Sequence, residues 1–167
     1  QNANSAATTT VVGGRLNVGG TSSGSLTSSV TVQNGGTLGM AAGGVGGTVT
    51  GTVSLQSGGS LVGGEATGLF TITGLVTGAT GSTIAAGNSP GILTLGGGLT
   101  TSGTLAFEVN GAANAAGTLY DQIQVTGAVD LSGATLSFSG SAGSVVINQP
   151  VNILTNDGSD PITFTGA

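Results

Sequence analysis

Apolar residues recur every 23 positions along this chain. Val30, Val53, Val76 and Leu99 fall one period apart, as do Leu26, Val49, Ile72 and Leu95, and Leu38, Leu61, Ile84 and Phe107. Turn residues keep the same interval: Ser28, Gly51, Gly74 and Gly97, then Gly35, Gly58 and Gly81. A period of 20–25 residues built from short Val/Leu/Ile/Thr stretches and glycine turns is the mark of a β-solenoid with one coil per repeat. One coil cannot bury its own apolar column. Stacking sets like over like, and each strand hydrogen-bonds to the coil above and below.

The pattern within a coil agrees. Val30-Thr31-Val32 and Val53-Ser54-Leu55 alternate apolar and polar, which puts alternate side chains inside and out. Asn34-Gly35-Gly36 and Ser57-Gly58-Gly59 then supply turns, followed by a strand ending in Leu38 or Leu61. No window carries a 3.6-residue period with caps, so no significant helix is expected. The repeat runs from about Val11 to Val109. Residues 1–10 read as an N-terminal arm or an incomplete first coil, and residues 11–167 as a single solenoid domain with a loop inserted near 110–119. The register resumes beyond it. Val125-Thr126-Gly127-Ala128-Val129 copies Ile72-Thr73-Gly74-Leu75-Val76, and Gly133-Ala134-Thr135-Leu136 copies Gly81-Ser82-Thr83-Ile84. Three more strands are expected at Val145–Ile147, Val151–Leu154 and Ile162–Phe164. The whole reads as an all-β parallel solenoid, a rod on the order of 30 Å long.

Composition limits the chemistry. Val, Leu, Ile and Phe supply 42 of the 167 residues, enough for a core, although 35 glycines make up about a fifth of the chain. Only seven residues are charged: Arg15 against Glu65, Glu108, Asp121, Asp130, Asp157 and Asp160. A net charge of −5 argues against nucleic acid and anionic membranes as partners. No apolar run is long enough to span a membrane as a helix. The chain opens Gln1-Asn2-Ala3-Asn4 with no basic or apolar leader, which reads as a processed chain or an excised fragment.

With no His, Cys or Lys, the usual general bases and activated nucleophiles are missing. Paired carboxylates are the remaining acid–base option. Asp121 and Asp130 lie nine apart, on neighbouring strands by this reading, and read more simply as solvated or turn-capping aspartates. Asp157 and Asp160, in Asn156-Asp157-Gly158-Ser159-Asp160, are the calcium candidates, and an Asx turn ahead of Pro161 accounts for the same residues. Arg15 reads as solvated, and Tyr120 as packing beside the inserted loop. No cofactor and no catalytic residue is expected.

Three motifs carry a resemblance. Ala86-Gly87-Asn88-Ser89-Pro90-Gly91-Ile92-Leu93 resembles the "PGNSPGTL" element of autotransporter passenger domains, departing from it at Ala86 and Ile92. Tyr120-Asp121-Gln122-Ile123-Gln124-Val125-Thr126-Gly127 resembles the "YDQLxVxG" stretch that follows it in that family. Val32–Leu38 and Leu55–Leu61 resemble autotransporter-associated β-strand repeats. The resemblance covers most of residues 30–165 and implies an exported, right-handed parallel β-helix at a bacterial surface. Extracellular or cell-surface location follows as an expectation. The function expected is structural and non-enzymatic: a solenoid that self-associates into a surface fibre, layer or matrix, head to tail or through its N-terminal arm. The alternative is a passenger or adhesin segment that displays a binding surface for a glycan or host-surface ligand.

Overall fold

The computed structural model describes residues 7–65, 68–88, 90–111, 115–141 and 149–165. Its chain winds through three strands per coil. The first coil holds β1 (Thr9–Val11), β2 (Gly14–Asn17) and β3 (Gly24–Leu26), and the second β4 (Val30–Val32), β5 (Gly36–Gly39) and β6 (Gly46–Val49). The third holds β7 (Val53–Leu55), β8 (Ser60–Val62) and β9 (Leu69–Ile72), and the fourth β10 (Val76–Gly78), β11 (Thr83–Ala85) and β12 (Ile92–Leu95). The fifth holds β13 (Leu99–Thr101), β14 (Thr104–Glu108) and β15 (Gln122–Val125), and the sixth β16 (Val129–Asp130), β17 (Thr135–Ser139) and β18 (Leu154–Asn156). β19 (Ile162–Thr163) opens a seventh turn. The described residues contain no helix.

Equivalent strands of successive coils pair in parallel. They form one sheet of seven strands, β1-β4-β7-β10-β13-β16-β19, and two of six, β2-β5-β8-β11-β14-β17 and β3-β6-β9-β12-β15-β18. The protein is a parallel β-helix. Seven layers at about 4.8 Å each make a rod about 30 Å long.

The register is the one the repeat dictates. Val30, Val53, Val76 and Leu99 stack directly, and Val129 and Ile162 continue the column. Leu26, Val49, Ile72 and Leu95 form a second column, extended by Val125. Every member of these two columns between Val30 and Val129 is buried, while Leu26, at the first layer, is half-buried. Each such side chain contributes about 1.5–3 kcal/mol on leaving water.

One corner explains the glycines. Gly35, Gly58 and Gly81 have φ of 78°, 77° and 83°, where an L side chain is strained. Their turns also hydrogen-bond between coils: Gly35 N–H donates to the Gly58 carbonyl at 3.0 Å, and Gly58 N–H to the Gly81 carbonyl at 2.9 Å.

The third column departs from the 23-residue count. Leu38, Leu61 and Ile84 stack as expected, but the next member is Leu105, not Phe107. Thr83 pairs with Thr104, 21 residues on, because this corner is two residues shorter in the fifth coil: only Ser102-Gly103 separates β13 from β14, against Ala79–Ser82 between β10 and β11. Phe107 is still buried, one side-chain step further along its strand. It pairs with Phe138, with ring centroids 6.0 Å apart.

The ends of the chain differ from the sequence reading in smaller ways. β1 begins at Thr9, so the first coil starts inside the expected arm, and it pairs with β4. The expected strand Val151–Leu154 lies later, at Leu154–Asn156, where Leu154, Thr155 and Asn156 pair with Ile123, Gln124 and Val125. The expected strand Val145–Ile147 and most of the N-terminal arm lie outside the described residues.

Candidate functional site

The acidic residues of the first five coils, Glu65, Glu108 and Asp121, gather along one edge of the solenoid. This edge joins the β2-to-β17 sheet to the β3-to-β18 sheet, and it carries the irregular connections of the rod. Within the first five coils, residues 109–121 make the longest of them. Leu93 pairs with Ile123, 30 residues on, where the coils before it advance by 23.

Asp121 is the centre of this edge. It is buried, contrary to the solvated or turn-capping reading. Its Oδ1 accepts the Gly91 N–H at 2.8 Å, and its Oδ2 accepts the Glu108 N–H at 2.7 Å. One carboxylate thereby ties the end of β14, the turn before β12 and the start of β15. Burial pushes its pKa above 3.8, the two backbone N–H groups pull it down, and the neighbouring Glu108 charge raises it; burial dominates. The segments 86–93 and 120–127, singled out separately in the sequence, are thus one structural device. Gly91 is needed there because a Cβ would run into the Gly64 carbonyl of the coil below.

Glu65 makes a second bridge on this edge. Its Oε2 accepts the Gly43 N–H at 2.8 Å, and its Oε1 accepts the Asn88 Nδ2–H at 3.2 Å, linking three successive coils. Glu108 Oε1 accepts from Asn110 Nδ2 at 2.6 Å. Between these groups lies a cavity of about 210 Å³, lined by Asn88, Glu108, Asp121 and Ser139 among others. Its acids are already engaged: both Asp121 oxygens hold backbone donors, and Glu108 holds Asn110.

No family model matches the chain, and searches of curated proteins and of solved structures found no match either.

The remaining sequence candidates disperse. Asp121 precedes β15 and Asp130 ends β16, in two different sheets, so the fold does not pair them on neighbouring strands. The Ser132 side chain first, and then its N–H, which donates to Asp130 Oδ1 at 2.9 Å, hold the Asp130 pKa below 3.8. Asp157 closes an Asx turn onto the Ser159 N–H at 3.2 Å, and the Asp160 carbonyl accepts from Asn156 Nδ2 at 3.2 Å. No group of three or more His, Cys, Asp or Glu able to hold a metal ion occurs among the described residues. Arg15 is exposed yet bonded, through Nε to Asn17 Oδ1 at 2.6 Å and Nη2 to the Met40 carbonyl at 2.7 Å. Tyr120 is buried against the inserted loop, bridging to Val109 and Ala116.

The Asp121 and Glu65 bridges were missed in the sequence. Glu65 had a signal, since Gly43, Glu65 and Asn88 are 22 and 23 residues apart, one coil each. Asp121 had none of that kind. Its partners lie 30 and 13 residues away, off the repeat.

Proposed function

We propose that this protein is a structural, non-enzymatic β-solenoid that self-associates into an extracellular fibre, layer or matrix at a bacterial surface. The observation that supports this most is the state of the three sheets at their ends. β1, β2 and β3 at one end, and β17, β18 and β19 at the other, each have a strand neighbour on one side only among the described residues. An unpaired parallel edge is a template for another strand. The sides of the rod carry few charges to keep copies apart, since 4% of the residues are charged against about 25% in an ordinary soluble domain. Hydroxyls serve on the surface instead, as in the pairs Thr9–Ser28 at 2.6 Å and Thr80–Ser102 at 3.0 Å.

The test is to follow the size of the pure chain by light scattering and electron microscopy as concentration rises. Growth into elongated particles without added ligand supports the reading. A monomer that stays monomeric at high concentration overturns it.

A second reading has its own support. The clamp at Asp121 joins the two segments that resemble autotransporter passenger motifs, and a polar cavity opens beside it. On this reading the chain is a passenger or adhesin segment whose irregular edge faces a glycan or host-surface ligand. Saturable binding to a glycan array by a monomeric chain, lost when the 109–121 connection is shortened, would favour it.

A further inference from the structure

The sequence holds three prolines, and one of them follows an aspartate, at Asp160–Pro161. This bond lies in the connection 157–161 between β18 and β19, where every residue is exposed. The connection is anchored on both sides. Asn156 ends β18 and pairs with Val125. On the other side the Pro161 carbonyl accepts the Val129 N–H at 3.0 Å, and Ile162 pairs with Val129.

Asn156 is aimed at the carbonyl of that bond. Its Oδ1 accepts the Asp157 N–H at 2.7 Å, which fixes the direction of the amide, and its Nδ2 donates to the Asp160 carbonyl oxygen at 3.2 Å. That oxygen belongs to the Asp160–Pro161 peptide group. A donor held there stabilises the negative charge that develops when a nucleophile adds to the carbonyl carbon. The nucleophile is in the same residue. The Asp160 carboxylate reaches its own carbonyl carbon by closing a five-membered ring, and such tethering replaces a bimolecular encounter. Proline closes the competing route, because its nitrogen carries no hydrogen and cannot form an imide with the aspartate side chain. The other aspartate of the turn differs on both counts: Asp157 Oδ1 already holds the Ser159 N–H at 3.2 Å, and Gly158 follows it.

We propose that Asp160–Pro161 is a self-cleavage site, a single-turnover activity that goes beyond the structural role and does not depend on it. A carboxylate oxygen of Asp160 adds to the Asp160 carbonyl carbon, forming a C–O bond and an oxyanion held by the Asn156 Nδ2–H. Collapse of this intermediate breaks the C–N bond. The electron pair leaves on the Pro161 nitrogen, which takes a proton from solvent and departs as a secondary amine. The cyclic anhydride left on Asp160 then takes up one water, and both carboxyl groups are restored. The net change is hydrolysis of one peptide bond, with water as the co-reactant. Acid favours the departure by supplying the proton to the leaving nitrogen. The other acids of this region are Asp157, in the same turn, and Asp130, on the strand that pairs with β19; the one base, Arg15, lies in the first coil. The cut parts β19 from β18. The segment beyond it is then held to the rod by backbone bonds such as Leu131 N–H to the Thr163 carbonyl at 2.9 Å.

The experiment incubates the pure folded chain in neutral and in mildly acid buffer made with water enriched in heavy oxygen, and follows it by mass spectrometry. One cut is expected, giving a product that ends at Asp160 and one that begins at Pro161, faster in the acid buffer. Because the anhydride opens at either carbonyl, the label should be shared between the α-carboxyl and the side chain of Asp160. Label confined to the α-carboxyl would mean direct attack by water or a contaminating protease, and would overturn the mechanism. Asp160→Ala and Pro161→Ala should abolish the cut. Asn156→Ala should slow it about tenfold, less than the roughly 10²–10³-fold of a buried donor, because this turn is in water. Circular dichroism checks that each variant keeps its β-structure. The wild-type chain unfolded in guanidinium at the same pH measures the ordinary lability of such a bond, and it should be cut no faster than the folded Asn156→Ala variant. Equal rates for folded wild type, unfolded wild type and Asn156→Ala would overturn the part given to Asn156 and to the fold. A folded wild type that stays intact in the acid buffer would overturn the site itself.

Discussion

β14 and β17 are nearly the same strand in two places. Thr104-Leu105-Ala106-Phe107-Glu108 and Thr135-Leu136-Ser137-Phe138-Ser139 pair residue for residue. Yet Leu105 and Phe107 are buried, with Phe107 2% exposed, while all five residues of β17 are exposed. Local sequence is therefore not what buries a side chain here. Burial is conferred by the layer that stacks on it, and among the described residues β14 has a layer on both sides where β17 has one. In a solenoid this makes stability a property of neighbours, summed along the rod, and the last layer contributes least.

The largest effect should separate the two regions most sharply. Leu61 and Leu136 occupy one column, at an interior layer and at the last. Leu61→Asp puts a lone carboxylate between coils and should cost several kcal/mol, with neighbouring coils disrupted. Leu136→Asp should cost less than about 1 kcal/mol, as exposed substitutions do. Equal losses in chemical denaturation would break the comparison. The aromatic pair sharpens it: Phe107→Ala should cost about 3–5 kcal/mol, and Phe138→Ala clearly less, because much of its ring is already in water. Melting of the two variants side by side reads the difference.

A smaller contrast lies at the corners. Gly58 and Gly133 have φ of 77° and 78°, so alanine is strained by about 1–2 kcal/mol at either. At Gly58 a Cβ would also press on the Asn34 side chain of the coil below, whereas at Gly133 the nearest atom is the Ser102 Cβ at 3.6 Å. Gly58→Ala should therefore be the more damaging of the two, and urea midpoints would show it.

The smallest effect is in pH. Asp121 has its folded pKa raised above 3.8, so the folded state holds that proton more tightly than the unfolded chain does. Its contribution is complete below 3.8 and is lost as pH rises through the folded value. Asp130, whose pKa is lowered, behaves oppositely: its contribution is present above 3.8 and is lost as pH falls through the folded value. The stability gap between wild type and Asp121→Asn should accordingly narrow as pH rises above 3.8. Unfolding curves across that range provide the check, and a gap that widens would contradict buried Asp121 as described.

Much of the fold was legible because a solenoid converts sequence interval into spatial contact. Two residues 23 apart become neighbours, so the Val30 and Leu26 columns could be read directly from the chain. The same logic failed at Phe107. Counting assumes that every corner has equal length, and the corner at Ser102-Gly103 is two residues short. The periodic tract also placed β17 correctly, since Thr135 and Leu136 fall where the copied Gly133–Leu136 element puts them. It misplaced the strand near Val151, in a turn that no longer keeps the period.

The sequence alone determined the layered architecture, the interior columns and the glycine corners. Each of these depends on a local interval repeated often enough to override chance. Tertiary structure decided which equivalent residues are covered, where the count slips, and that Asp121 is buried between Gly91 and Glu108 instead of facing water. Those outcomes depend on contacts off the repeat and on whether another layer is present, and neither is encoded in the interval between one residue and the next.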